Sequence, residues 1–178
     1  VFILIPTLML ELSEGSLSLP ERRPDGTADM EGMPVIEMGW LSEEADRVRL
    51  RDGVRLALRL TESNEMARVL ESPIRPSADE ITSSSSDEAI DAWVARNVIT
   101  SHHQSSSCRM GDPGDPGAVC DEQGRVYGTT GLRVVDASLM PDCPRANTQV
   151  TTYMIGERIA QIMNHGSLAA AISAVERA

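Results

Sequence analysis

Apolar and polar positions alternate in the first third of the chain. In "GSLSLPER", Leu17 and Leu19 alternate with Ser16 and Ser18, which is the period of a half-exposed strand. Pro20 ends it, because proline has no amide to give to a ladder. The turn-rich "RRPDGTADMEGMP" follows, and "PVIEMGWL" predicts a second strand over Val35 to Leu41. The continuous apolar run from Val1 to Leu8 predicts a buried strand, with Pro6 marking an edge or a break.

The period then changes to that of helices. Ser42 predicts a helix start without a capping box, and Glu43, Glu44 and Asp46 put negative charge where a helix N-terminus favours it. Val48, Leu50, Val54, Leu56, Leu58 and Leu60 are too dense for one narrow stripe, so this helix is expected to be well buried, with Gly53 a weak point or a close contact. "SPIRPSADEITSSSSDE" reads as a loop from which Ser86 or Asp87 caps a short helix through "AIDAWVARNVI". "GDPGDPG" reads as an exposed loop. Its glycines space as G-x-x-G-x-x-G, which is not the dinucleotide fingerprint. "GRVYGTTGLRVVDAS" predicts a hairpin, Arg125 to Tyr127 and Leu132 to Val135 around Gly128 to Gly131. Thr148 to Met163 predicts a helix with Ile155, Ile159, Ile162 and Met163 on one face, and the alanine-rich tail after Gly166 a last short helix or disorder.

Composition narrows the function classes. Aromatic residues make up only 3% of the 178, so any core is built from Leu, Val, Ile, Met and Ala. The net charge is −11 and all 16 basic residues are arginine; an acidic chain with no basic stripe repels phosphate backbones, and nucleic-acid binding is not expected. Cys108, Cys120 and Cys143 are an odd number at irregular spacing with no C-x-x-C, which predicts reduced thiols and a cytoplasmic location. "VFILIPTLML" has the apolar character of a signal-peptide core but lacks its basic flank and cleavage site, and is too short to span a bilayer. We expect it to be the cut end of a longer polypeptide.

Chemistry concentrates in "SHHQSSSCRMG", Ser101 to Gly111. On a strand His102 and His103 point to opposite faces, and with Cys108 and Cys120 they match no zinc spacing; no metal site is expected. A Ser–His or Cys–His nucleophile pair has no nucleophile elbow to support it. A polar loop with incidental histidines and a loop carrying a proton acceptor both remain open on these residues alone.

The wider context is more specific. After His103 come Cys108, Met110-Gly111, then D-x-x-G-R-V-x-G-x-x-G-L-R-V-V-D-A-S from Asp121, then Met140-Pro141, then A-N-T-Q leading into M-I-G-E-R. Upstream lie a G-x-L-x-L strand, a P-x-I strand and L-x-x-G-x-R in a helix. Together these resemble the C-terminal part of the glucose–methanol–choline (GMC) oxidoreductases, flavoenzymes that oxidise alcohols with FAD, in a choline dehydrogenase-like form. The resemblance implies an α+β fold: part of an antiparallel substrate-binding sheet with flanking helices over 1–99, and a catalytic segment over 100–178 whose strand and helix return to an FAD-binding α/β domain. No dinucleotide fingerprint for that domain is present, so the N-terminal half is expected in the same polypeptide or as a partner chain.

By the same carry-over His103 is the base and Asn147 its partner, acting on a small-molecule alcohol. His102, Asp136, Ala137, Thr148 and Gln149 are implied as flavin-contacting residues. For Thr148 and Gln149 ordinary helix capping is the competing role, for Asp136 a turn or salt bridge, and Cys108 is expected to be a buried packing residue. The chain departs from the family pattern with His102 for tryptophan, Gln104 for proline, Ser106 for glycine and Ala146 for glycine. A hydroxynitrile lyase using the same histidine, and a non-catalytic fragment, are the alternative functions.

Overall fold

Both strands expected from alternation form, but shorter than the pattern suggests. In the computed structural model, which describes residues 2–23, 25–27, 29, 31–71, 75–166 and 173, β1 (Ser16–Ser18) pairs antiparallel with β2 (Val35–Glu37), Leu17 opposite Ile36. Among the described residues the α-helices α1 (Glu44–Thr61), α2 (Asp87–Asn97) and α3 (Gln149–His165) follow. Helices with a small antiparallel sheet make the fold α+β. The chain divides into two compact units, Val1–Ser101 and His102–Ala178.

In the first unit α1 and α2 pack around Val54, Leu58, Ile81, Ile90 and Val94, with Leu41, Leu50, Trp93 and Val98 closing the edges. Ser86 caps α2 as expected, its hydroxyl accepting from the Ala89 amide at 3.3 Å. Arg51 reaches Asp91 at 2.7 Å and Arg55 pairs with Asp87, so the two helices are joined by charge outside the apolar seam.

Two expectations fail here. Residues 2–8 form no strand and most are exposed; proline at position 6 cannot complete a ladder. The segment is held to α1 instead, because Arg49 donates to the carbonyls of Met9 (2.6 Å) and Leu10 (2.9 Å). A Cβ on Gly53 would stand 3.3 Å from Pro6, so Gly53 is a close contact. Nor is α1 well buried: Leu56 and Leu60 are each 50% exposed, because α2 covers only the Val54–Leu58 side.

The cap that α1 lacks in sequence is supplied in space. The Ser13 hydroxyl accepts from the Glu43 amide at 3.2 Å, while Asp46 accepts from the amides of Leu12 (2.8 Å) and Ser13 (2.7 Å). Burial alone would push the Asp46 carboxyl up. The Ser13 hydroxyl, the two amides and the Arg49 charge outweigh it and hold Asp46 below the usual carboxylate range.

In the second unit α3 lays Ile155 and Ile159 on Cys120, Leu139 and Met140, with Ile162 also buried. Met163 was expected on that face and is 61% exposed. At about 100° per residue it lies about 80° from Ile155, whereas Ile159 and Ile162 lie within about 40°. The expected hairpin is reduced to one isolated antiparallel bridge, Arg125↔Arg133, while Val126 bridges instead to Cys120. The expectation for the alanine-rich tail falls on 167–172 and 174–178, outside the described residues.

Candidate active site

The segment after His103 is anchored by its own backbone. Ser106, Cys108 and Met110 donate amides to the carbonyls of Ala137 (3.2 Å), Ser138 (2.9 Å) and Leu139 (2.9 Å) in succession. That register places the histidine loop beside the turn Ala137–Leu139. Asp136 shapes this turn, its carboxylate accepting from the Ser138 amide at 2.8 Å and the Ser138 hydroxyl at 2.5 Å. The turn role weighed for Asp136 is therefore filled within the chain. Ala137 is half-buried and packs onto the core that α3 covers.

His102 (φ 62°) and Ser106 (φ 67°) are both left-handed, so the loop doubles back on either side of His103. A side chain at such a φ costs about 1–2 kcal/mol. Ser106 stands where the resembled motif has glycine, the residue that adopts this backbone without strain. Tethering to Ala137 holds Ser106 there.

The same tether brings His103 to the start of α3. The Asn147 amide nitrogen lies 3.1 Å from Nε2 of His103, and the Thr148 hydroxyl lies 3.4 Å from Nδ1. The Asn147 side-chain oxygen accepts from the Gln149 amide at 2.9 Å. Asn147 is therefore the cap of α3. Thr148 sits in the helical region with no side-chain cap bond, so the capping role weighed for it is not the one it fills. Thr148 is buried, His103 half-buried, and Asn147 and Gln149 exposed; the Gln149 side chain donates to the Tyr153 hydroxyl at 3.1 Å. His102 is exposed on the shoulder of the loop. The structure thus joins His103, Asn147, Thr148 and Gln149 directly, and Ala137 and Asp136 through the backbone of the loop.

Cys108 is half-buried and not fully enclosed as expected. Burial pushes the Cys120 thiol up, with Cys108, Asp121 and Asp136 adding to the effect, which keeps it protonated. Among the described residues no three His, Cys, Asp or Glu side chains gather as a metal site would require, and no helix is long and apolar enough to cross a membrane.

Behind the loop, the D-x-x-G-R motif folds as a carboxylate-closed turn. Asp121 accepts from the amides of Gln123 and Arg125, both at 2.9 Å, and from the Arg125 side chain at 2.6 Å. Burial alone would raise its pKa; these bonds and the Arg125 charge outweigh it and hold Asp121 below the usual carboxylate range. Sequence reasoning did not find the Thr148–His103 contact. A threonine next to the carried-over Asn147 was its only trace.

The family model for GMC oxidoreductases matches residues 12–156, from the strand pair through the histidine loop into α3. The chain belongs to the GMC oxidoreductase family. Among curated relatives of this family, the oxygen-dependent choline dehydrogenase of Vibrio vulnificus is 40% identical over 132 residues, covering 74% of this chain and 23% of that protein. Pyridoxine 4-oxidase from Mesorbium loti superposes with a TM-score of 0.69 at 26% identity, over 88% of this chain and 28% of the other. An FAD-dependent oxidoreductase from Chaetomium thermophilum gives 0.67 at 27% identity, over 84% and 24%. This GMC chain therefore spans about a quarter of the length of the relatives it matches.

Proposed function

We propose that this chain carries the proton-handling side of an FAD-dependent oxidoreductase that converts an alcohol to a carbonyl, with His103 as base and Asn147 as donor to the alcohol oxygen. The observation that carries the reading is the exposed pair of His103 Nε2 and Asn147 Nδ2, 3.1 Å apart, with the amide oriented by the backbone of α3. An alcohol oxygen entering this pair donates its proton to Nε2 and accepts the Asn147 N–H. An alcohol carbon gives up hydride readily only as its hydroxyl proton leaves, so a base here contributes roughly 10²–10⁴-fold. The Asn147 donor steadies the developing alkoxide, and removal of such a donor costs about 10²–10³-fold. Asn147 does this without titrating.

Acceptance of the hydride is the chemistry that FAD would supply when bound. The chain's residues fit such a group at the start of α3. Asn147, Gln149 and Val150 are exposed there, at the positive end of the helix, which favours electron density. The Asp136 carboxylate is engaged with Ser138 and the Thr148 hydroxyl with His103, while His102 and Gln149 are exposed at the positions the resemblance implies. Ala137 supplies a small neighbour. Val150, Tyr153 and Met154 leave an apolar flank on α3, 57–77% exposed, and support docking of an FAD-binding half in the same polypeptide or as a second chain.

The test is anaerobic flavin absorbance of this chain assembled with an FAD-binding half, titrated with primary alcohols. Bleaching that His103→Ala slows by about a hundredfold or more supports the reading. Bound flavin that no alcohol bleaches points to the lyase, and failure to take up flavin to a non-catalytic chain.

A further inference from the structure

We infer that the start of α3 sets the tautomer of His103: the Asn147 amide donates to Nε2, which stays the bare nitrogen, and the Thr148 hydroxyl receives the proton on Nδ1. The deduction runs from the helix outward. The Gln149 amide can donate only to an oxygen, so its 2.9 Å bond fixes the Asn147 side-chain oxygen on that side and turns the NH₂ toward His103. An amide NH₂ only donates, so Nε2, 3.1 Å away, must accept. A neutral imidazole keeps one proton, and it must sit on Nδ1. The partner of Nδ1 is the hydroxyl of Thr148, a residue only 9% exposed, at 3.4 Å, and it accepts this proton.

Two consecutive residues at the start of α3 thus grip the two nitrogens of one ring. Asn147 faces the nitrogen on the open side and Thr148 holds the far one. Free histidine in water favours the opposite tautomer, with the proton on Nε2, so the protein must supply the preference. Thr148 acts through His103 and is a positioning residue. Its consequence for catalysis rests on the function proposed above, because a base must present a lone pair; the tautomer itself does not depend on that reading.

The chain has three histidines, His102, His103 and His165, so their ring nitrogens can be assigned with His102→Gln and His165→Gln variants. With ¹⁵N-histidine in the full chain at a pH where the rings are neutral, long-range proton–nitrogen correlations report which nitrogen is protonated. We expect His103 as the Nδ1–H form in the wild type. Asn147→Leu removes the donor facing Nε2 at nearly constant shape and should shift the tautomer ratio toward Nε2–H roughly fivefold, the scale of one ordinary hydrogen bond; Thr148→Ser should keep the wild-type ratio. A wild-type His103 found mainly as Nε2–H, or a ratio unmoved in a folded Asn147→Leu, overturns the inference. The wild-type spectrum decides even where Asn147→Leu does not fold. Loss of alcohol oxidation with the tautomer intact would count against the proposed function alone.

Discussion

Gly124 and Gly128 share one backbone conformation, φ +72° at each, within the single motif "GRVYGTTG". Their surroundings differ. A Cβ on Gly128 meets nothing within 4 Å, whereas one on Gly124 would stand 2.4 Å from the Val134 carbonyl oxygen and 3.0 Å from Ile159 Cδ1. Replacing either with alanine costs about 1–2 kcal/mol for the left-handed backbone, offset by about 0.4–1 kcal/mol from the stiffer unfolded chain. Gly128→Ala should therefore cost about 0–1.6 kcal/mol. At Gly124 the clash is with backbone, so something must move. Overpacking adds about 1–3 kcal/mol, and strain on the 2.8 Å bond from the Val134 amide to the Gly124 carbonyl adds about 1 kcal/mol more. Gly124→Ala should thus cost about 2–4 kcal/mol more than Gly128→Ala. Tryptophan fluorescence will not report this, because Trp40 and Trp93 both lie in the first unit. Hydrogen exchange at the Ile159 and Ile162 amides in α3 will. If the two variants agree within about 0.5 kcal/mol, the spread expected of independent small effects, the close approach of Gly124 to Val134 does not govern the packing of α3.

Other outcomes follow from the same geometry. Asp46 and Asp121 both lie below their ordinary value of 3.8, so the stability each lends is fully present above that pH and is lost as pH falls through its own lower pKa. Denaturant midpoints should fall on acidification below about pH 4, and less so in Asp121→Asn; an unchanged acid limb in that variant would contradict the assignment. Asp46→Ala leaves the Leu12 and Ser13 amides without their acceptor and should cost about 3 kcal/mol, read by tryptophan fluorescence of the first unit. Ser106→Gly should stabilise by up to about 1 kcal/mol and Ser106→Val destabilise by at least as much; equal melting temperatures for the two would show that the left-handed backbone at 106 carries no strain.

What could be read from the sequence is what nearest neighbours decide. The Ser86 cap, the Ile155–Ile159–Ile162 stripe and the alternation in β1 depend on side chains a few residues apart, where helix and strand periods fix the geometry. The site residues were legible as a pattern, five residues from His103 to Cys108 and then A-N-T-Q, although the pattern carries no distances. His103 and Asn147 are 44 positions apart, and their contact exists because the amides of Ser106, Cys108 and Met110 take hold of the Ala137–Leu139 turn. Likewise the cap of α1 comes from Ser13, thirty residues upstream of Glu43, and the apolar start of the chain lies along α1 because Arg49 binds its carbonyls. Periodicity says which face of an element is apolar. Which distant group satisfies a buried amide or fixes an imidazole proton is settled only when loops close and backbone donors find their acceptors.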